Sequence, residues 1–330
     1  MTFGELALDA AEGAILAHSL KLASGTVSKG TVLGAEHLKR LKEAGVEFVI
    51  AARLEPGDVA EDDAASRVAS RLVAPGLNPT KAFAGRANLV AGQPGIVMVN
   101  SRAVHAMNRV DEGITLATLP DMMRVNRGQL VATIKVIPYA VAAAQVDAAV
   151  EVLGGGAIRL APFGPGRVQL VLTRLPSFKE SLLEKGRKVV EDRVCALGLE
   201  LADVAVVEHR TEAIAGALDP EMDLILILGA SATSDRADVA PAAVSAAGGV
   251  IQRFGMPVDP GNLLFLAELK GASVVGLPGC ARSPAMNGVD WVLERLAAGV
   301  PVDGQGIAAM GVGGLLKEMP GRPQPRQPGK

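Results

Sequence analysis

From about residue 167 onward, short unbroken apolar runs alternate with longer segments whose apolar residues recur every three or four positions. Val168–Leu172, Val204–Val207 and Leu224–Leu228 are runs of the first kind. Such runs suit strands covered on both faces. Between the first two, Leu182, Val189, Val190, Val194 and Leu197 predict one apolar helical face, which Gly198 can end. Ser177-Phe178-Lys179-Glu180 fits a capping box at its start. Thr211–Leu218 predicts a short helix broken by Asp219-Pro220, and Val239–Ala247 predicts another stopped by Gly248-Gly249. Leu263–Ala267 and Ala272–Gly276 read as a hairpin through Lys270-Gly271, and Pro284–Ala298 as a closing helix. Alternation of this kind predicts an α/β fold with a three-layer, mostly parallel sheet.

The pattern differs in the first half. Residues 1–75 predict a small α/β region, with a helix over Ala35–Ala44 stopped at Gly45, a strand over Val46–Ala52 and a helix over Asp58–Val73. Glu61, Asp62 and Asp63 fall at the start of that last helix, where acids complement the helix dipole; this reading outweighs a metal site. Residues 76–155 read as β-rich, because Ile96–Val99 and Leu130–Ile137 are β-branched runs. Gly154-Gly155-Gly156 marks a boundary before a third region, 156–316. Residues 317–330 carry four prolines and almost no apolar residue, so a disordered tail or linker stub is expected.

Composition narrows the picture. Hydrophobic residues make up 49% of the 330 positions but aromatics only 3%, so the cores are built from aliphatic side chains, which favours α/β layers. A net charge of −2 implies no general attraction to nucleic acid. No apolar stretch reaches the ~20 residues needed to span a bilayer, and no secretion signal is visible at the N-terminus. Cys195 and Cys280 are too few for a disulfide framework. A cytoplasmic protein is expected.

Candidate chemistry lies in three loops that follow apolar runs. They are Gly229-Ala230-Ser231-Ala232-Thr233-Ser234-Asp235-Arg236, Val258-Asp259-Pro260-Gly261-Asn262 and Pro278-Gly279-Cys280-Ala281-Arg282-Ser283-Pro284. Small residues there let the backbone approach a ligand, and open α/β sheets bind ligands beyond the carboxyl ends of their strands. The loops resemble, in order and spacing, those of molybdopterin-binding domains. Asp223–Asp235 looks like the family's glycine-serine-aspartate loop. Met256–Asn262 aligns with its proline-glycine-lysine-proline loop, and Gly276–Cys280 with its glycine-leucine-proline-glycine-asparagine loop. Such domains occur in molybdopterin molybdenumtransferases, adenylyltransferases and gephyrin. Gly25–Leu33 also resembles the segment preceding this domain in molybdenumtransferases. The helix Asn287–Leu296 and the ending Met310–Leu316 resemble a bacterial subgroup associated with molybdenum cofactor cytidylyltransferase.

The resemblance implies a molybdopterin or molybdenum-cofactor ligand, a role in cofactor biosynthesis, Mg²⁺ as a companion, homo-oligomers, and a cytidylyltransferase as partner. It implies cofactor contacts from Gly229, Ala230, Ser231, Ala232, Ser234, Arg236, Pro260, Gly261, Asn262, Gly279, Cys280, Ala281, Arg282 and Ser283, with Thr173 at the end of a neighbouring strand. Backbone N–H groups at helix starts suit the phosphate, and Arg236 and Arg282 would add charge-assisted hydrogen bonds. Asp235 and Asp259 are the catalytic candidates, and Asp235 the metal ligand; capping of the following helix is the alternative for Asp235. Cys280 offers a soft ligand, or simply a small residue in a tight turn. His209 follows a strand and reads as structural. The chain departs from the transferases: the second loop lacks their lysine and the first their paired glycines. A non-catalytic carrier or scaffold is therefore the second reading. A nucleotide-dependent enzyme ranks last, because no GxxxxGK[ST] loop is present.

Overall fold

The computed structural model describes residues 1–176 and 179–316. Ser177 and Phe178 of the expected capping box, and the proline-rich stretch after Leu316, lie outside the described residues. The chain divides into two compact units, one Met1–Pro162 and one beginning at Phe163.

In the first unit, Thr2–Ala7, Phe48–Arg53 and Ile15–Leu16 form an antiparallel sheet over a core that includes Leu8, Leu16, Leu33 and Val49. The helix Ala35–Glu43 adds Leu41 to that core. Residues 58–73 are not one helix: Asp58–Ala60 pairs as a strand with Ala140–Ala142, and the helix runs Glu61–Arg71. Val68 of this helix and Leu72, which caps its end, share a core with Leu89, Ile134 and Ile158. Those three come from two further antiparallel sheets. One orders Ile114–Thr118, Leu130–Val136, Arg86–Ala91 and Leu77–Pro79; the other orders Met123–Val125, Gly95–Val99 and Ile158–Pro162. The acids at the helix start hold structure. Asp62 accepts the Gly85 N–H at 2.6 Å, and Glu61 faces Lys135 at 3.6 Å.

The second unit holds a six-stranded sheet. Its order is Glu200–Glu208, Arg167–Arg174, Leu224–Leu228, Ala272–Leu277, Phe265–Leu269, Val250–Phe254. The first four strands are parallel and the last two join antiparallel. Alternate residues of the central strands face opposite layers, as a period of two requires. Leu170, Leu172, Leu226, Leu228, Val275 and Leu277 pack against the helices Glu180–Cys195 and Gly288–Ala297. Val171, Ile225, Ile227 and Val274 pack against Thr211–Ala215 and Val239–Ala246. This is the expected three-layer, mostly parallel architecture, and each fully buried Leu or Ile contributes about 1.5–3 kcal/mol through burial. The buried polar Gln169 is satisfied. It donates to Asp203 at 2.8 Å and to the Ala217 carbonyl at 3.0 Å, and accepts the Asp219 N–H at 3.0 Å.

Several elements differ from expectation. The strand Val250–Phe254 was not anticipated; Gln252 and Arg253 interrupt its apolar run, which an edge position tolerates. The closing helix begins at Gly288 rather than Pro284, capped by Asn287. The buried face of Glu180–Cys195 is Leu183, Gly186, Val190 and Val194, while Leu182 is exposed. Gly186 matters there: a methyl at that position would lie 2.8 Å from Nη1 of Arg282 and 3.1 Å from Leu228.

Candidate functional site

The chain order of the parallel strands creates a switch point. After Arg167–Arg174 the chain moves to one side, to Glu200–Glu208, and then returns to the other side as Leu224–Leu228. A crevice opens at the carboxyl end of two strands whose connections leave in opposite directions. The loops after Leu228 and Leu277 leave from that edge, since these two residues pair. The second candidate loop joins Val250–Phe254 to Phe265–Leu269. Phe254 pairs with Phe265, and Phe265 with Gly276, so this loop too leaves from the carboxyl edge.

Thr173 stands at the switch point, fully buried. Its Oγ1 accepts the Ala230 N–H at 2.7 Å and lies 2.9 Å from Nδ1 of His209. Having accepted from Ala230, the hydroxyl has its proton to give to Nδ1, which fits a neutral imidazole. Burial holds His209 below the ordinary imidazole value, with Asp238 opposing. Across the crevice, Nη2 of Arg282 donates to the Gly229 carbonyl at 2.8 Å. Burial also lowers Arg282 from its ordinary value. One strand end and two loops are thereby tied at Gly229-Ala230.

The helix starts behave differently from expectation. Asp238, not Asp235, caps Val239–Ala246, accepting from Val239 at 2.8 Å and from Ser234 at 3.1 Å. Those N–H groups hold its carboxyl below the usual range. Asn287 accepts the Val289 N–H at 2.9 Å, and Asp290 accepts the Asn287 N–H at 2.7 Å. Both helix starts are thus capped by side chains of the chain itself, and the exposed residues Ser231, Ala232 and Gly279 lie earlier in the loops. Asp235 is exposed and accepts the Ala237 N–H at 2.7 Å. Arg236 reaches the Ile251 carbonyl at 3.2 Å, on the edge strand rather than at the switch point. Cys280, half-buried, and Ala281, buried, lie in a 3-10 turn, Gly279–Arg282, and Ser283 follows it.

The second loop is braced by other segments. The Pro260 carbonyl accepts the Gly288 N–H at 2.8 Å, and the Asn262 carbonyl accepts the Met256 N–H at 3.0 Å. Asp259 bonds through its backbone to Gly314 and Leu316, at 2.8 and 3.0 Å. The Asp259 and Asn262 side chains are exposed, and Gly261 is buried. Among the described residues, no three of His, Cys, Asp and Glu gather as a metal would need.

Sequence reasoning missed two residues of this edge. Asp238 carried a legible signal, an Asp directly before the apolar Val239-Ala240. Arg193 carried none. It sits in the last turn of its helix, far from these loops along the chain, yet its guanidinium donates to the Ala281 carbonyl at 2.7 Å and to Asp290 at 2.8 Å.

Fold and edge define a class: a three-layer α/β domain with three loops at the carboxyl edge of its sheet, beside a switch point. A family model described as a domain of unknown function (DUF8806) matches residues 5–53. No curated protein matches the chain. Among solved structures, a molybdenum cofactor biosynthesis protein B is 16% identical, covering 42% of this chain and 96% of its own, at a TM-score of 0.30. A molybdopterin biosynthesis moea protein from Pyrococcus horikosii is 14% identical, covering 91% of this chain and 76% of its own, at a TM-score of 0.31. At such scores these likenesses carry no functional argument.

Proposed function

We propose that the protein binds molybdopterin or the molybdenum cofactor as cargo during cofactor biosynthesis, at the carboxyl edge of the Leu224–Leu228 and Ala272–Leu277 strands. The observation that carries this reading is the meeting, on one sheet edge, of three loops that resemble those of molybdopterin-binding domains. The anionic phosphate of the ligand would meet the exposed loop backbone at Ser231, Ala232 and Gly279. The half-buried Arg282 guanidinium favours an anion, because a neighbouring negative charge offsets the desolvation of a cation. Arg282 also serves the fold through Gly229, so its loss would act on ligand and loop together.

The test is direct titration with molybdopterin, read on Trp291, the single tryptophan, whose helix packs against the second loop. Arg282→Ala is expected to weaken binding about tenfold to a hundredfold, the range of one lost charge-assisted hydrogen bond. Saturable binding that Arg282→Ala and Ser231→Pro leave unchanged would remove the site from consideration.

A second reading, a carrier without turnover, is favoured by one specific observation. Asp235 is engaged by its own loop, where its carboxylate accepts the Ala237 N–H at 2.7 Å. On this reading the protein hands the pterin to a cytidylyltransferase. Steady molybdate- and Mg²⁺-dependent turnover by the purified protein would exclude it.

A further inference from the structure

The third loop holds part of its own shape, through a 3-10 turn in which the Ala281 N–H donates to the Pro278 carbonyl at 2.9 Å and the Ser283 N–H to the Cys280 carbonyl at 3.0 Å. From Pro278 to Met286 it is built of small or short side chains apart from Arg282 and Met286, and Met286 is exposed. Beyond the buried Pro278 and Ala281, little apolar burial is available to fix it. The rest of its form is held by one side chain of a different element. Arg193, on the helix Glu180–Cys195, reaches three of the loop's carbonyls. Its Nη1 donates to the Ala281 carbonyl at 2.7 Å, and its Nη2 to those of Ser283 at 2.6 Å and Ala285 at 3.0 Å. Its Nε donates to Asp290 at 2.8 Å, and the Arg193 side chain is only 9% exposed. A planar fork with donors on three nitrogens can gather carbonyls in this way, and a lysine cannot.

The chain of contacts does not end there. Arg282 lies between two of the residues that Arg193 grips, and it donates in turn to the Gly229 carbonyl. Ala230, the next residue, donates to Thr173. Hydrogen bonds joined through adjacent backbone residues therefore run from Arg193 through the third loop to the first loop and the switch point.

We propose that Arg193 is the positioning residue of the ligand site: it touches no ligand, but sets the shape of the third loop and, through Arg282, the place of the first. The ligand half of this statement rests on the function proposed above; the loop half stands without it. Asp290 shares the task, because it both receives Arg193 and holds the start of the helix Gly288–Ala297 through the Asn287 N–H.

The experiment compares the full-length protein with Arg193→Lys, Arg282→Lys and the double variant. Amide exchange is followed in peptides covering residues 229–238 and 278–287, with the Arg167–Arg174 strand as internal control for global folding. Arg193→Lys is expected to speed exchange about tenfold or more in both loops, as loss of one to two buried hydrogen bonds implies. The control strand should stay protected. If the wild type binds molybdopterin, Arg193→Lys should weaken binding about tenfold, and the double variant should lose less than the product of the single losses. Independent losses, or exchange confined to residues 278–287, would overturn the proposal. Should the wild type fail to bind molybdopterin, the function proposed above falls. The exchange data then decide alone: faster exchange in both loops upholds the series of contacts, and unchanged exchange in the first loop ends it.

Discussion

Gly276 and Phe265 make a sharp test of how the sheet positions the candidate site. The two residues pair directly across the antiparallel strands, and Phe265 is 1% exposed. A methyl group added at Gly276 would fall on Cε1 and Cδ1 of the Phe265 ring, far inside contact distance. Gly276 does not adopt a positive φ, so its backbone accepts alanine without strain. Whatever Gly276→Ala costs is therefore steric. Overpacking of a filled core costs about 1–3 kcal/mol. Complete loss of a buried phenylalanine sets an upper bound of about 3–5 kcal/mol. Replacing glycine returns roughly 0.4–1 kcal/mol through the unfolded chain. Overlap this deep puts the cost toward the upper end of the overpacking range, so a net destabilisation of about 1–2.5 kcal/mol is expected. Phe265→Leu clears the space, so Gly276→Ala should cost little in that background, leaving a coupling of about 1–2 kcal/mol. Urea unfolding followed at Trp291 measures all four proteins, since that residue packs against a core of the same unit. A single variant within about 0.5 kcal/mol of wild type, or strict additivity in the double variant, would refute the reasoning.

Gly261→Ala should also disturb the site, from the second loop. Gly261 has φ +139°, and a methyl there would lie 2.8 Å from the Gly288 nitrogen and 2.9 Å from its Cα. Both obstacles are backbone, so a loss of about 1–3 kcal/mol is expected in the urea midpoint, together with weaker molybdopterin binding. His209 predicts a pH dependence. Its folded pKa lies below the ordinary value, so the unfolded chain binds more protons and stability falls as pH drops below about 6.5. His209→Gln should flatten the midpoint-against-pH curve between pH 7 and 5, and an unchanged slope would show that His209 does not contribute.

How much of this was legible in the sequence depends on distance along the chain. The doubly covered strands were legible because an unbroken run such as Leu224–Leu228 has few other uses. Convergence of the loops was legible as well. Strand–helix–strand connections in one hand return every loop to the same edge, and the Lys270-Gly271 hairpin turns the chain back there. The phase of the helix Glu180–Cys195 was not. Leu182 and Leu183 serve equally well in a periodic pattern, and the packing against Leu228 and Arg282 decides between them. The strand Asp58–Ala60 was absorbed into the neighbouring helix, because three residues carry no period and their partner, Ala140–Ala142, is remote in sequence. Asp235 and Asp238 are both plausible caps by residue type; only the turn between them, which gives Asp235 to Ala237, separates their roles.

Arg193 illustrates a more general limit. A loop meant to present its backbone to a ligand is built of small residues, because a side chain would occupy the approach. That same choice limits the loop's apolar burial, so part of its conformation is held from outside. In this chain the hold comes from an arginine 88 positions earlier than the first carbonyl it grips. Nothing in the local pattern around Arg193 distinguishes it from the other charges of its helix, such as Arg187, whose nearest ion pair, to Glu184, is an exposed one at 3.9 Å. What distinguishes it is the shape of the loop it meets. Wherever a glycine- and alanine-rich loop resembles a known ligand loop, the residue worth finding is the buried cation or amide that gives it form, and that residue is found by following the loop's carbonyls to their donors.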